Sequence, residues 1–277
     1  MVQGPERFAR NRGIVRVKIL VCVKQVPDSG ETLSIDASSG WIDYGRSTVF
    51  RMNRYDEFAL EEALLIRESL PGTVVHALSA GPERVGSTLR RTLEMGADHA
   101  IHILDGRESY VSPISVASLI ASCARTRGYD LILAGVMAED DMACQVGQLV
   151  AALLDLPCAT SVIRGEVCPG GSEILVEREI EGGCRQEVLL RTPAVLTIQP
   201  GIHTPRYPSL SHVLRARSQP QEIIDSRALG IPGQQESAGR LRAPDLTSQG
   251  IFLEGSSREK ARALVGILHE KALLIQR

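Results

Sequence analysis

The sequence predicts an α/β fold in which a parallel β-sheet is covered by helices on both faces. It also predicts a β-hairpin insertion and a C-terminal arm that ends in a helix. Two patterns predict the sheet. Short apolar runs alternate with amphipathic helical segments four times in series, and several runs are continuously apolar, as is typical of strands buried on both faces. Four β-α units in series favour parallel strands with right-handed crossovers.

The four units follow one another along the first half of the chain. Strands are predicted at 17–23, 73–81, 99–104 and 129–135, and helices at 56–70, 83–97, 112–126 and 145–156. The first helix carries Ala59, Leu60, Ala63 and Leu64 on one face, which would pack on the sheet. Gly96 is a plausible C-terminal stop for the second helix.

The second half of the chain has a different organisation. Residues 173–198 contain two strand-like runs joined by Glu-Gly-Gly, which predicts a hairpin. Residues 216–250 are rich in Gln, Ser, Pro, Gly and Arg and are typical of an extended arm. Ser256 and Glu259 form a capping-box pattern at the start of a final helix, whose apolar face comprises Ala261, Leu264, Val265, Leu268 and Ala272. We expect a leader at 1–16, an α/β domain at 17–215 and an arm with its helix at 216–277, which either embraces a partner or folds back on its own domain.

Composition excludes several classes of protein. The net charge of −2 and the pI of about 6.3 create no field that favours nucleic acid. The apolar runs are shorter than the roughly 18 residues of a membrane helix. The first 16 residues lack the apolar segment of a secretory signal, so we expect a disordered leader or an upstream start of translation. Six cysteines without a CxxC pair indicate reduced thiols and a cytoplasmic protein.

Catalytic and metal-binding motifs are missing from the sequence. It contains no GxSxG, HExxH or P-loop pattern, and no GxGxxG after the first strand, and its six histidines have no second ligand at metal spacing. We therefore expect neither catalytic residues nor a metal site. A mildly basic stretch is either a solvated surface or a docking patch for an acidic partner; it comprises His203, Arg206, His212, Arg215 and Arg217.

The segment AGVMAEDDMACQVGQ (134–148) follows a buried strand and leads into a helix. A strand, a glycine and a helix start form the geometry at which α/β proteins bind phosphates. Cys22, Ala80 and Gly135 each end or follow a strand and should lie at one sheet edge, so the residues predict a nucleotide-binding, Rossmann-like fold. The segment also carries three acids, Glu139, Asp140 and Asp141. We expect one or two of them to cap or favour the following helix, and another to bond a ribose or face solvent.

Several motifs, in order, resemble the electron transfer flavoprotein beta subunit. The segment VEREIEGGCRQEVLLRTPAVLT (176–197) is similar to that family's signature. The others are LVCVKQVPD (20–28), NRYDEFALEEAL (53–64), SAGP (79–82), MGAD (95–98) and TPRYPSL (204–210). The resemblance runs from about residue 17 to 229 and includes the C-terminal helix.

The resemblance implies an electron carrier rather than an enzyme. Family members are heterodimers that accept electrons from dehydrogenases, such as the acyl-CoA dehydrogenases of fatty acid oxidation, and pass them to a membrane quinone oxidoreductase. One FAD lies mainly in the alpha subunit, against the beta subunit. The beta subunit holds AMP in ordinary members and a second FAD in electron-bifurcating ones, so the resemblance implies an adenine-nucleotide-binding fold.

By position, the resemblance also implies site residues. The nucleotide site would comprise Cys22, Asn53, Arg54, Tyr55, Asp56, Ala80, Gly135, Val136, Met137, Ala138, Glu139, Asp140, Asp141, Met142, Ala143, Cys144, Gln145 and Val146. Tyr55 falls where the family places an aromatic near the alpha-subunit flavin, and Ile202 where it presents an apolar anchor to dehydrogenases.

The chain also departs from the family pattern at several of these positions. Arg54 replaces a usual proline, Met137 a glutamine, and Met142 and Ala143 acidic or polar residues. The last two favour AMP over a second FAD. The alternatives are an electron-bifurcating subunit and a stand-alone nucleotide-binding regulator resembling universal stress proteins.

Overall fold

A computed structural model describes residues 16–30, 33–230, 239–243 and 250–271. The chain forms two compact units, Met1–Arg240 and Leu241–Arg277. The expected leader lies almost wholly outside the described residues.

The first unit is built on a nine-stranded sheet with two small two-stranded sheets beside it. The strands are β1 (Lys18–Cys22), β2 (Gln25–Pro27), β3 (Ser34–Ile35), β4 (Ile42–Asp43), β5 (Phe50–Met52), β6 (Val74–Gly81), β7 (His99–Leu104), β8 (Leu131–Gly135), β9 (Cys158–Val167), β10 (Glu173–Ile180), β11 (Cys184–Arg191), β12 (Ala194–Ile198) and β13 (Gln221–Asp225). The large sheet has the order β11-β10-β9-β12-β8-β1-β6-β7-β13. Seven neighbouring strands of this sheet pair in parallel, in the order β9, β12, β8, β1, β6, β7 and β13. The strands β10 and β11 add an antiparallel edge next to β9.

Helices cover both faces of this sheet, as the sequence predicts. They are α1 (Arg54–Ser69), α2 (Val85–Met95), α3 (Pro113–Ala124), α4 (Val146–Leu154) and α5 (Leu210–Ser218), with α6 (Ser257–Glu270) in the second unit. Alternate residues of β1 enter two separate cores: Ile19 and Val21 pack with α1 and α2, and Leu20 and Cys22 pack with α3 and α4. Burial on both faces explains why the strand is continuously apolar from Ile19 to Cys22.

The four predicted β-α units are confirmed, with element ends shifted by a few residues. The second helix ends at Gly96, whose φ of 128° is a conformation open to glycine. The predicted hairpin is β10 and β11, joined by a short 3-10 turn at Glu181–Gly183. The run after Pro193, however, is not part of the hairpin, because β12 crosses to pair in parallel with β8 and β9.

The short strands β2 to β5 were not predicted, and neither were three longer elements. Residues 158–167 form the long strand β9, and residues 210–218 form the helix α5. Within the expected arm, residues 221–225 form β13, because Ile223 and Ile224 suit a strand and pair with His102 and Ile103 of β7. The α/β unit therefore extends beyond the expected boundary at residue 215.

The helix α6 of the second unit begins with the predicted capping box. The backbone N–H and the hydroxyl of Ser256 both donate to the Glu259 carboxylate, at 2.8 and 2.6 Å. Leu264 and Val265 of its apolar face are each 48% exposed, and Ala272 lies outside the described residues.

We predict that Gly147→Ala lowers the free energy of unfolding by about 1–3 kcal/mol, the usual range for overpacking a core. A Cβ at Gly147 would lie 2.4 Å from Cγ2 of the buried Thr197, so α4 would have to move away from β12. Gly86→Ala is the matched control, since Gly86 is also the second residue of a helix and its Cβ would have an ordinary 3.4 Å contact. Urea denaturation compares the two; equal stability of both variants would contradict the prediction.

Candidate functional site

The candidate site lies where adjacent parallel strands end. Cys22 at the end of β1 pairs with Ala134 of β8 and Leu78 of β6, and Ile198 at the end of β12 pairs with Gly135. The predicted positions Cys22, Ala80 and Gly135 therefore lie at one sheet edge. The loop 136–145 leaves this edge and leads into α4. Such an edge is where open α/β sheets bind ligands.

A buried carboxylate joins this edge to the start of α1. Asp56 is 5% exposed, and its two oxygens accept the backbone N–H of Lys24 at 2.7 Å and of Gly135 at 2.9 Å. A Cβ at Gly135 would lie 2.5 Å from the Asp56 carboxylate and 2.6 Å from Cβ of Tyr55. Position 135 therefore admits only glycine while α1 stays in place.

Asn53 ties the next part of the loop to the same helix start. Its amide Nδ2 donates to the carbonyl of Met137 at 2.9 Å, and its Oδ1 accepts the N–H of Glu139 at 3.1 Å. Asn53 is the N-cap residue of α1, but its side chain makes no capping bond. Glu139 takes that role, because its carboxylate accepts the N–H of Arg54, in the first turn of α1, at 3.2 Å.

Two basic side chains, from β5 and from the residue that precedes β2, pair with the three acids of the loop. The ammonium group of Lys24 bonds Asp140 at 2.7 Å and Asp141 at 2.8 Å, and Arg51 bonds Glu139 at 3.0 Å. Burial opposes the charge on Lys24, but the two aspartates outweigh it and raise the pKa of the ammonium group.

The expectation that these acids cap the helix after the loop is wrong. The N-cap of α4 is Gln145, whose side chain makes no capping bond. Asp140 and Asp141 are engaged by Lys24, and Glu139 caps α1 instead of α4.

The N-terminus of α4 is suited to an anion. The N–H of Leu149 donates to the carbonyl of Gln145 at 3.0 Å, so the N–H groups of residues 146–148 precede the first intrahelical bond. Gln148 also has a buried Oε1 with no hydrogen-bond partner among the described residues; as an acceptor, this atom suits a hydroxyl or N–H donor rather than an anion. Met142 and Cys144 adopt left-handed backbone angles, with φ of 50° and 55°, a conformation that costs energy in residues other than glycine and that clusters at functional sites.

The remaining predicted positions are less closely joined to the loop. Ala80 lies on β6, two strands away from β8, and pairs with Ile103 of β7. Arg54 is exposed and Tyr55 is half-buried. The buried thiol of Cys22 has a raised pKa, first because of burial and then because of nearby Asp56, so it is an apolar wall rather than a reactive group.

Ile202 lies on a different segment, the loop that follows β12. It is half-buried and packs against the core beneath α1 and α2, whereas Tyr207 on the same loop is 92% exposed. Sequence reasoning missed Tyr207, and it gave no role to Lys24 or Arg51. The available signal was position, since Lys24 directly follows a strand that neighbours the strand before the acids.

Metal and membrane sites are also absent from the part of the chain that the structure describes. Across the described ranges, no cluster of three or more His, Cys, Asp or Glu residues could hold a metal ion. Likewise, none of the described helices has the length and apolar character needed to cross a membrane.

The fold defines a Rossmann-like α/β protein, with a candidate ligand-binding turn at the carboxyl ends of its parallel strands. Comparison with known proteins identifies its family. A sequence model described as the electron transfer flavoprotein domain matches residues 44–228. The electron transfer flavoprotein subunit beta of Methylophilus methylotrophus is 34% identical over 261 residues, 92% of this chain and 98% of the relative. Proteins of the same name from Bacillus subtilis (strain 168) and Mus musculus are 31% and 32% identical, over 94% and 87% of this chain and 100% and 94% of their own lengths. This chain belongs to the electron transfer flavoprotein beta-subunit family, which confirms the resemblance.

We predict that Asp56→Asn removes a loss of stability between about pH 4 and pH 7. Burial raises the pKa of Asp56 from 3.8 to about 7, against the opposing N–H groups of Lys24 and Gly135. Between these values the folded protein holds a proton that the unfolded chain has released, so the free energy of unfolding falls as the pH rises. Denaturation curves from pH 4 to pH 8 should slope downwards for the parent and be flatter for the variant.

Asp105→Asn is the control for this experiment. Asp105 is also buried, but its bond to Arg107 lowers its pKa below 3.8, so its effect falls below about pH 4. Parallel curves for the parent and Asp56→Asn would contradict the assignment.

Proposed function

We propose that this chain is the beta subunit of a heterodimeric electron transfer flavoprotein. It pairs with an alpha subunit, accepts electrons from dehydrogenases such as acyl-CoA dehydrogenases, and passes them to a quinone oxidoreductase. The observation that carries the proposal is the pairing of the three acids of the turn with Lys24 and Arg51. In a member of this family, that pairing leaves the N-terminus of α4 able to bind the phosphate of a nucleotide. The chain itself supplies no catalytic side chain and acts as an electron carrier, in the cytoplasm.

The turn fits the phosphate of an adenine nucleotide. Three uncompensated carboxylates would repel a phosphate, but Lys24 and Arg51 pair with them within the protein. The first-turn N–H groups of α4 would hold the phosphate through backbone bonds. The exposed Arg54 would add positive charge from the start of α1.

Flavin supplies the electron chemistry of such a protein, and the chain positions and shields it. We propose that one FAD is shared with the alpha subunit, with Tyr55 against it. The residues 142–143, Met and Ala, offer no side-chain donors for a second flavin's diphosphate, so we favour AMP in the beta-subunit site.

An electron-bifurcating subunit with two FAD is the second candidate. Residues 25–28 and 55–56 resemble such members, but two of these residues have internal roles. Asp56 bonds Lys24 and Gly135, and Gln25 donates to Arg84 and Thr88 at 3.0 Å. They therefore discriminate weakly between the two kinds of member.

The C-terminal arm and α6 are proposed to pack on the alpha subunit. The apolar residues Leu264 and Val265 share a face of α6 and are half-exposed. Ile251 and Phe252, just before that helix, are 75% and 94% exposed. Apolar surface of this extent is typical of a surface that binds another protein.

Dehydrogenases are proposed to dock on the loop 199–209, which includes Ile202. Arg215 and Arg217, on the helix α5 that follows the loop, are exposed. They would suit a partner with acidic residues around an apolar recess.

We predict one FAD and one AMP per heterodimer when the chain is co-purified with its alpha subunit. The measurement is acid extraction followed by chromatographic quantification of both nucleotides. Two FAD without AMP would establish the bifurcating alternative. The absence of both nucleotides from this subunit's site would contradict the role given to the turn.

We predict that Ile202→Ala weakens the affinity for a dehydrogenase by about 1–3 kcal/mol, as is usual for truncation of an interface anchor. Pro200 and Pro205 restrict the loop on both sides, so little ordering entropy offsets the contact. Because Ile202 also contacts the core, thermal stability and flavin content are measured in parallel. Unchanged electron-transfer kinetics would remove Ile202 from the interface.

A further inference from the structure

The loop 199–209 has no regular secondary structure, yet two buried carboxylates of α1 hold it. The first is Glu62, which is 2% exposed. Its Oε2 lies 2.7 Å from Nε2 of His203, the residue next to Ile202. Its other oxygen occupies the space beside Gly165 of β9, where a Cβ would come within 2.8 Å of it.

The second carboxylate is Glu61, which is 4% exposed. It accepts three kinds of donor from Arg206: the backbone N–H at 3.0 Å, Nε at 2.9 Å and Nη2 at 2.8 Å. The third guanidinium nitrogen, Nη1, bonds Glu68 two turns further along α1 at 2.5 Å. Glu61 thus neutralises Arg206 and also fixes its position, because a two-pronged guanidinium–carboxylate pair has a defined geometry.

The two fixed residues stand next to the apolar side chains of the loop. His203 follows Ile202, and Arg206 precedes Tyr207, the most exposed aromatic residue after Phe252 among the described residues. Tyr207 also lies between Pro205 and Pro208, which limit its backbone freedom. A large exposed side chain on a fixed backbone loses little entropy when it binds, and tyrosine is common among interface hot spots.

We propose that Glu61 and Glu62 are positioning residues for dehydrogenase docking, and that Tyr207 is a second docking anchor beside Ile202. The inference rests on the proposed function of the loop. The occupant is the electron-donating dehydrogenase, which would present an apolar recess with acidic residues around it. That chemistry complements the exposed Arg215 and Arg217, because Glu61, Glu62 and Glu68 are already paired within the subunit.

The pairing of carboxylates also explains why burial is tolerated on a surface helix. Burial raises the pKa of Glu62, and the nearby His203 imidazole opposes this. Glu61 and Glu68 together raise the pKa of Arg206 further above its ordinary value. Isolated buried charges would be costly, whereas paired ones keep a single arrangement. Two glutamates of α1 therefore fix the geometry of the loop 199–209. The same helix begins beside the acid-rich loop 136–145.

The test uses the heterodimer carrying Glu61→Gln, Glu62→Gln or Tyr207→Ala. Each variant is reduced by an acyl-CoA dehydrogenase with excess acyl-CoA, and flavin absorbance gives kcat and the KM for the heterodimer. Each should raise KM roughly 10-fold or more, as expected for loss of an interface hot spot, with kcat and flavin content unchanged. Hydrogen exchange at 199–209 should accelerate in the two glutamate variants but not in Tyr207→Ala.

Matched variants separate positioning from folding. Glu68 also pairs with Arg206, but its own side chain is 52% exposed. Glu68→Gln should therefore leave KM within about twofold, as expected for most surface ion pairs. Tyr207→Phe should retain the parent KM. If Glu61→Gln fails to fold, Arg206→Lys removes the two-pronged contact from the loop side and should raise KM in the same way.

The outcomes distinguish this inference from the proposed function. Unchanged exchange at 199–209 in both glutamate variants overturns the positioning role, whatever the kinetics. Faster exchange with unchanged KM overturns it too. If Ile202→Ala also leaves KM unchanged, docking through this loop fails as part of the proposed function. A raised KM in Ile202→Ala alone leaves docking in place and rejects the roles of Glu61, Glu62 and Tyr207.

Discussion

The carboxylate of Asp56 links two strand ends and one helix, and the site depends on this link. It accepts N–H groups from Lys24, after β1, and from Gly135, at the end of β8. Burying a carboxylate is costly. Here, however, the Asp56 carboxylate supplies hydrogen-bond partners for two backbone N–H groups that would otherwise have none. Because Gly135 has no side chain, α1 approaches closely, and Asn53 and Glu139 can then fix the loop that follows.

The charge of that loop becomes intelligible from the same arrangement. Lys24, whose backbone N–H Asp56 binds, and Arg51 of β5 pair with the three acids of the loop. The acids therefore stabilise the shape of the loop, and in the proposed function the N-terminus of α4 is left to bind an anion. In a family of electron carriers this arrangement is sufficient, because the proposed flavin would supply the chemistry.

Much of the fold was predictable because its signals are local. A continuous apolar strand such as β1, a glycine stop such as Gly96 and a capping box such as Ser256–Glu259 are each visible within a few residues. Long-range choices were not visible. The strand β13 is short and lies in polar surroundings, and its place beside β7 is decided by pairing across more than a hundred residues. In the site, the resemblance gave the positions, but the partners of the acids depend on contacts between distant segments, as does the hold of Glu61 on Arg206.

The most direct test of the account is an experimental structure of the heterodimer with its nucleotides retained. The account predicts a phosphate at the N–H groups of residues 146–148, with Asp140 and Asp141 still paired to Lys24. A nucleotide elsewhere on the subunit, or a Lys24 that leaves the aspartates to bind the phosphate, would contradict it.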